Sequence, residues 1–296
     1  MPDFDLQAYS ASWQPVIDID LEEILAEISA SRQCPAELAA AMQQAVLGGG
    51  KRLRPLLVLA AARACGVDER RAVLAGCALE LIHAYSLVHD DLPSMDDDDF
   101  RRGKPSCHKA FSEAMAILTG DALLTHAFDV LSRGVEAEQL QRAVGLISRA
   151  AGPLGMVAGQ ADDIRRVKQP LSVEEVEFNH ARKTGAMFTA AVELGGVVAR
   201  ADDDQIKALS AYGRALGLAF QIVDDLLAHR GDQQSLGRPT GSDEANLRQT
   251  HPAIAGLENS RSRVKLLIEE AERELAIFGD PADALLGIAD FVRQRA

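Results

Sequence analysis

Aromatic side chains are scarce in this chain: one Trp, three Tyr and nine Phe among 296 residues, or 4%. Sheets held by aromatic and β-branched cross-strand pairs draw on those residues. No alternating apolar and polar run long enough for a sheet is present either. Basic residues are in the minority: 31 Lys and Arg against 44 Asp and Glu give a formal charge of −13. That excludes the extended basic surface a nucleic-acid binder needs. The four cysteines, Cys34, Cys65, Cys77 and Cys107, form neither a CxxC pair nor a zinc spacing. They read as scattered, buried or half-buried thiols of a reducing compartment. No run of about 18 apolar residues occurs, so no membrane span is expected. The acidic N-terminus MPDFDLQAYSASW lacks a basic, apolar leader, and the expected location is the cytoplasm.

What the chain does have is helix. Ala and Leu dominate, and 47% hydrophobic with 25% charged residues suits a globular chain with a large core. Leu21, Ile24, Leu25 and Ile28 recur at spacings of three and four. A helix over about Pro35 to Leu47 ends at Gly48-Gly49-Gly50. The next starts near Pro55 and runs to Cys65. A longer one covers about Glu69 to Asp91 and stops at Pro93. A polar loop follows through Pro105. Helical patterns resume over Phe111 to Arg133, Glu136 to Ala151, Val173 to Arg200 and Asp203 to His229. A Gly/Pro/Ser-rich loop covers Gly231 to Ser242, and closing helices fill Pro252 to Arg295. No composition break divides the chain. The expectation is all-α: one large helical bundle, a single domain over 1–296.

Two acidic sites stand out by their surroundings. Six aspartates, Asp90, Asp91 and Asp96 to Asp99, fall within ten residues directly after the apolar segment LIHAYSLVH. A charge run is ordinarily a solvated face, but carboxylates at the end of a buried helix carry a desolvation cost that a divalent cation would offset. With oxygen ligands abundant, Mg²⁺ fits better than zinc. The second site, Asp224-Asp225, interrupts GLAFQIVDDLL, with Gln221, Asp224 and Ala228 on one helical face. Alone it reads equally as a helix-surface pair. Facing the first site, it would complete a metal clamp on a diphosphate.

The counterpart is basic. GGKRLRP places Lys51, Arg52 and Arg54 in four residues, without the strand or GxxxxGK[ST] pattern of a P-loop. Arg101 and Arg102 follow the acidic loop, Lys183-Thr184 lie in HARKTG, and Arg238 and Arg248 come after the second acidic site. Together these cations could hold two separate polyphosphates.

These segments resemble the trans-prenyl diphosphate synthase family, bacterial farnesyl diphosphate synthases in particular. The resemblance runs from about Gly48 to Pro252. GGGKRLRP is similar to the family's isopentenyl-diphosphate motif. HAYSLVHDDLPSMDDDDFRRGKPSCH is similar to its first aspartate-rich motif, with four residues between the pair and the next aspartate. GDALL, GQADD, RKTG and FQIVDD also match.

The resemblance implies the helical isoprenoid-synthase fold, a homodimer, and condensation of isopentenyl diphosphate with an allylic diphosphate. It implies Mg²⁺, up to three ions with Mn²⁺ as an alternative, held by Asp90, Asp91, Asp96 and Asp224. Arg101, Lys183, Thr184, Gln221 and Arg238 are implied contacts of the allylic diphosphate. Lys51, Arg54, His83 and Arg102 are implied contacts of isopentenyl diphosphate. Tyr85 and Ser86, five and four residues before Asp90, are the implied floor of the chain-length cavity. A Tyr there resembles farnesyl synthases, which stop at fifteen carbons; geranyl and geranylgeranyl diphosphate are the alternatives.

The sequence departs from the family pattern at Ala228, where the second motif usually ends in Asp. It departs also at Arg238 and Arg248, usually Lys, and at His251, usually Tyr. A weakly active or modulatory homologue, or a terpene cyclase, would be the other readings. GGGKRLRP, needed only for a second diphosphate, argues against the cyclase.

Overall fold

The computed structural model describes residues 4–166, 171–230 and 250–296. The described chain is almost wholly helical, as the composition predicts. In order come α1 (Leu6–Ala30), α2 (Ala36–Leu47), α3 (Leu53–Ala64), α4 (Val73–Asp90), α5 (Cys107–Ala110), α6 (Glu113–Gly134), α7 (Ala137–Ala151) and α8 (Met156–Arg166). After these come α9 (Val173–His180), α10 (Ala186–Val198), α11 (Asp203–Arg230), α12 (His251–Ala255), α13 (Leu257–Glu274) and α14 (Asp283–Gln294).

Local chemistry sets several of the ends. Asp5 caps α1 by accepting from Ala8 N at 2.9 Å, and Ser112 caps α6 from Met115 N at 3.1 Å. Ser172 and Glu175 form a reciprocal capping box on α9, satisfying two donors that a helix start leaves unpaired.

Helices α3, α4 and α10 form the centre. They are apolar nearly all round, the pattern of a helix buried on every side. Leu57, Leu59, Leu79, Leu81, Ile82 and Phe188 are fully buried there. Tyr212 of α11 is also fully buried, its hydroxyl donating to Leu285 O at 2.7 Å, so the one polar atom of a large core side chain is satisfied.

Three sequence expectations change. The polar loop after Pro93 contains a minimal hairpin, β1 (Phe100–Arg101) antiparallel to β2 (Lys104–Pro105). Helix α8 was not anticipated, because Gly152, Pro153 and Gly155 and the charges of ADDIRR obscure its short apolar face. Two helices, Glu69–Asp90 and Glu113–Gly134, are long and apolar enough to cross a membrane, although no such segment was expected. In the first, 72% of the apolar window is buried inside the bundle and in the second 39%, so the first is a core helix. The cysteines are free, Cys77 and Cys107 buried and Cys34 and Cys65 half-buried.

Candidate active site

A cavity of about 770 Å³ is lined from α1, α3, α4, α8, α9, α11 and α14. It gathers Lys51, Arg54, His83, Asp90, Asp96, Arg101, Arg102, Lys183, Thr184, Gln221 and Asp224, residues as far apart in sequence as the first and second aspartate motifs. Asp91, Tyr85 and Ser86 do not line it. Arg238 and Arg248 lie outside the described residues.

The turn after α4 explains the spacing of the first motif. Met95 N and Asp97 N both donate to Leu92 O, at 2.8 and 3.1 Å, and Asp96 N returns to Asp90 O at 2.9 Å. The chain folds back on the helix end, so Asp90 and Asp96 reach the same cavity. Asp91 is rotated about 100° from Asp90 and is 2% exposed. Its carboxylate accepts from Arg101 Nε at 3.1 Å and also from Arg101 Nη2. Burial pushes the Asp91 carboxyl up, and the guanidinium pulls it back down. The ligand role implied for Asp91 thus meets a different geometry: its carboxylate fixes Arg101 on the cavity wall.

In the second motif both Asp224 and Asp225 line the cavity. Asp225 is buried, accepting from Gln221 Nε2 at 3.3 Å and from His251 N at 2.8 Å. Gln221 Oε1 in turn accepts from Thr184 Oγ1 at 2.7 Å. Ala228 and the exposed His229 are not among the lining residues.

The opposite wall is cationic. Gly50 has φ +133°, and a Cβ there would lie 2.7 Å from Arg102 Nη2. Only glycine lets the GGGKRLRP turn pass so close to that guanidinium. Arg102 donates to Gly49 O. Arg54 stacks 5.5 Å from the Phe188 ring centroid, and its buried Nε has no hydrogen-bond partner among the described residues. Burial lowers the pKa of Arg54, with Glu80 and Asp224 opposing. An unpaired guanidinium N–H in an apolar wall suits an anion brought in from outside. Burial and then Arg54, Arg102, Arg101 and Arg52 hold His83 well below 6.5. The ring is neutral at pH 7, so it offers one donor and adds no charge.

Two sets of partners were not anticipated from the sequence. Arg52, the middle cation of its motif, turns inward and is 3% exposed, bonding Asp18 Oδ1 and Glu80 Oε1 at 2.8 Å each and Val46 O at 2.9 Å. The acidic pair of GQADD on α8 holds the basic pair of RKTG. Asp163 Oδ2 accepts from Lys183 Nζ at 2.6 Å, and Asp162 accepts from Arg182. Two acids in α8 opposite two bases at equal spacing were a usable signal, hidden because α8 itself was not recognised.

Residues 181–185 form a single π-helical turn between α9 and α10, a distortion common at functional sites. A Cβ on Gly159 would stand 2.6 Å from the Lys183 backbone, so α8 must carry glycine there. Gly159→Ala gains about 1 kcal/mol in helix propensity, but the clash is with main chain and costs about 1–3 kcal/mol. Denaturant unfolding is expected to show a net loss of stability.

The cavity's donor set suits a hard divalent cation, since Asp90, Asp96 and Asp224 present carboxylate oxygens with no thiol among its lining residues. A further acidic group, Asp97, Asp99 and the buried His108, brings one ligand atom from each within 4.8 Å of one another, outside that lining.

The sequence model of the polyprenyl synthetase family matches residues 35–277. The farnesyl diphosphate synthase of Geobacillus stearothermophilus is 44% identical over 266 residues, covering 88% of this chain and 89% of the relative. Geranylgeranyl pyrophosphate synthase 4 of Arabidopsis thaliana is 37% identical, covering 99% of this chain and 78% of its own. Among solved structures, an FPP/GFPP synthase from Zymomonas mobilis superposes with a TM-score of 0.84 at 37% identity, covering 96% of this chain and 98% of the other.

Proposed function

Since the chain belongs to the polyprenyl synthetase family and is a trans-prenyl diphosphate synthase, a prenyltransferase, we propose that it condenses isopentenyl diphosphate with dimethylallyl or geranyl diphosphate to give farnesyl diphosphate. The observation that carries this is the meeting of two separate cation groups with the carboxylates of Asp90, Asp96 and Asp224 in one cavity.

Lys51, Arg54, His83 and Arg102 line one part of it and hold the isopentenyl diphosphate. Arg101, Lys183, Thr184 and Gln221 hold the allylic diphosphate. Asp90, Asp96 and Asp224 would hold Mg²⁺ against that diphosphate, and the bound ions would supply Lewis-acid neutralisation of the leaving group. Lys183 and Arg101 add fixed positive charge where the departing oxygens become negative. The allylic C–O bond breaks, the isopentenyl double bond attacks the resulting cation, and the proton lost from the new bond's neighbour goes to the released diphosphate. Leu56, Leu87 and Phe220 on the walls keep water from the cation. His83 and Arg54 hold the attacking double bond near by, the proximity contribution. We read the active species as a cytoplasmic homodimer; Ile117 and Leu118 on α6, 47% and 54% exposed, offer it an apolar contact.

The fifteen-carbon product is supported by the farnesyl-named relative and by the bulk of Tyr85, which is 6% exposed and packs edge-on to His89 at 5.8 Å. Ser86 Oγ is turned back onto His83 O at 2.9 Å. A twenty-carbon product is the second reading, favoured by the geranylgeranyl-named relative and by Tyr85 standing outside the cavity lining.

Purified enzyme with Mg²⁺, isopentenyl diphosphate and either primer decides the matter, with product read by mass after dephosphorylation. The expected product has fifteen carbons and disappears with EDTA, and Tyr85→Ser lengthens it. Product from neither primer would overturn the assignment of an active synthase.

A further inference from the structure

His251 stands one residue beyond the cavity-lining Thr250 and is 2% exposed. Its backbone N–H is the 2.8 Å donor to Asp225 Oδ2. Its ring is held on both sides. Ser260 Oγ of α13 donates its single proton to Gly256 O at 2.8 Å, so at its 2.8 Å contact with His251 Nδ1 it accepts. That puts a proton on Nδ1, and Nε2, 3.4 Å from Glu177 Oε1 of α9, donates to that carboxylate when the ring carries its second proton. Glu177 is gripped by Arg263 Nε and Nη2 at 2.8 Å each. A continuous polar chain therefore runs Thr184–Gln221–Asp225–His251–Glu177–Arg263, from the cavity wall to a half-exposed arginine. It crosses α9, α11, α12 and α13.

We infer that His251 is a positioning residue for the allylic-diphosphate side of the cavity, acting through Asp225 on Gln221 and Thr184. The inference rests on the function proposed above. Asp225 is buried, and position 228, one turn on, is Ala and offers no polar group. The end of α11 is instead tied to α13 and α9 by the His251 ring, which keeps the main-chain donor aimed at Asp225. Buried networks of this kind select one arrangement because breaking any link leaves an unsatisfied group. Among the described residues, Arg54 and Arg102 of the isopentenyl side make no hydrogen bond to a member of this polar chain.

The test compares His251→Leu, which loses both ring contacts, with His251→Asn, which can restore the donor to Ser260. Ser260→Ala removes the acceptor alone and serves if His251→Leu does not fold. Calorimetry with Mg²⁺ measures binding of geranyl thiolodiphosphate, an unreactive allylic analogue, and of isopentenyl diphosphate. His251→Leu and Ser260→Ala are expected to weaken the allylic analogue about tenfold and leave isopentenyl diphosphate within about twofold. His251→Asn is expected to recover most of the loss. Equal weakening of both ligands, or no change in either, overturns the inference and reduces the ring to packing. Wild-type protein that binds neither ligand would instead strike at the proposed function.

Discussion

Asp90→Asn is expected to lower kcat by about a thousandfold or more with little change in thermal stability, whereas Asp91→Asn is expected to lower both. Removing a single preorganised charge-stabilising group in an enzyme cavity typically costs about 100- to 1000-fold. Asp90 combines that loss with the loss of one carboxylate from the cation-holding set. It lines the cavity at a helix end, so the neutral amide disturbs little packing. Asp91 is 2% exposed and paired with Arg101. Its neutralisation leaves a largely buried guanidinium with only the longer 3.3 Å contact to Asp98, and breaking such a pair from one side costs up to about 3–5 kcal/mol. It also frees Arg101 from the position it needs for the diphosphate. Calorimetric melting alongside steady-state kinetics separates the two. Equal loss of melting temperature in both variants would show that adjacent aspartates share one structural role, against the geometry.

The second large effect is on stability. Arg52→Leu is expected to lower the unfolding free energy by about 3–5 kcal/mol, measured by urea unfolding. Arg52 sits in the left-handed backbone region at φ 48°, which costs a non-glycine residue about 1–2 kcal/mol. That conformation persists because the guanidinium makes three bonds, to Asp18, Glu80 and Val46 O. Burial alone would lower its pKa, yet the nearby Glu80 and Asp18 raise it on balance. The Asp18 side chain is 45% exposed, so that link contributes little after solvent screening. Glu80 is 3% exposed, and leaving it charged without Arg52 dominates the cost. The double variant Arg52→Leu/Glu80→Leu is therefore expected to recover much of the loss. Failure of the double variant to improve on the single would mean that the Val46 carbonyl bond, not the ion pair, is what matters.

Much of the architecture is legible in the sequence because its signals are local. Apolar positions three and four apart, glycines at helix ends and Pro93 after the acidic pair mark most helices within a few residues of where they lie. The helix carrying GQADD is not legible, since its apolar stripe is short and its charged residues find their partners only across space. The candidate cavity follows the same division. Most of the residues singled out by type and motif line it, because carboxylates and guanidiniums placed directly beside apolar helix segments have few other reasons to be there.

The sequence by itself determined the helical class, the two acidic sites, the basic turn before α3 and the family to which they belong. Tertiary structure alone decided which distant partner each buried charge of these motifs takes. Neighbours on a helix point about 100° apart, so the charges of a motif written as Asp-Asp or Lys-Arg-Leu-Arg meet different surroundings. Which of them turns inward depends on a partner distant in sequence. Arg101 takes Asp91, Glu80 takes Arg52, and the His251 main chain takes Asp225. A buried charge is tolerated only where such a partner is already waiting, and that is a property of the assembled bundle.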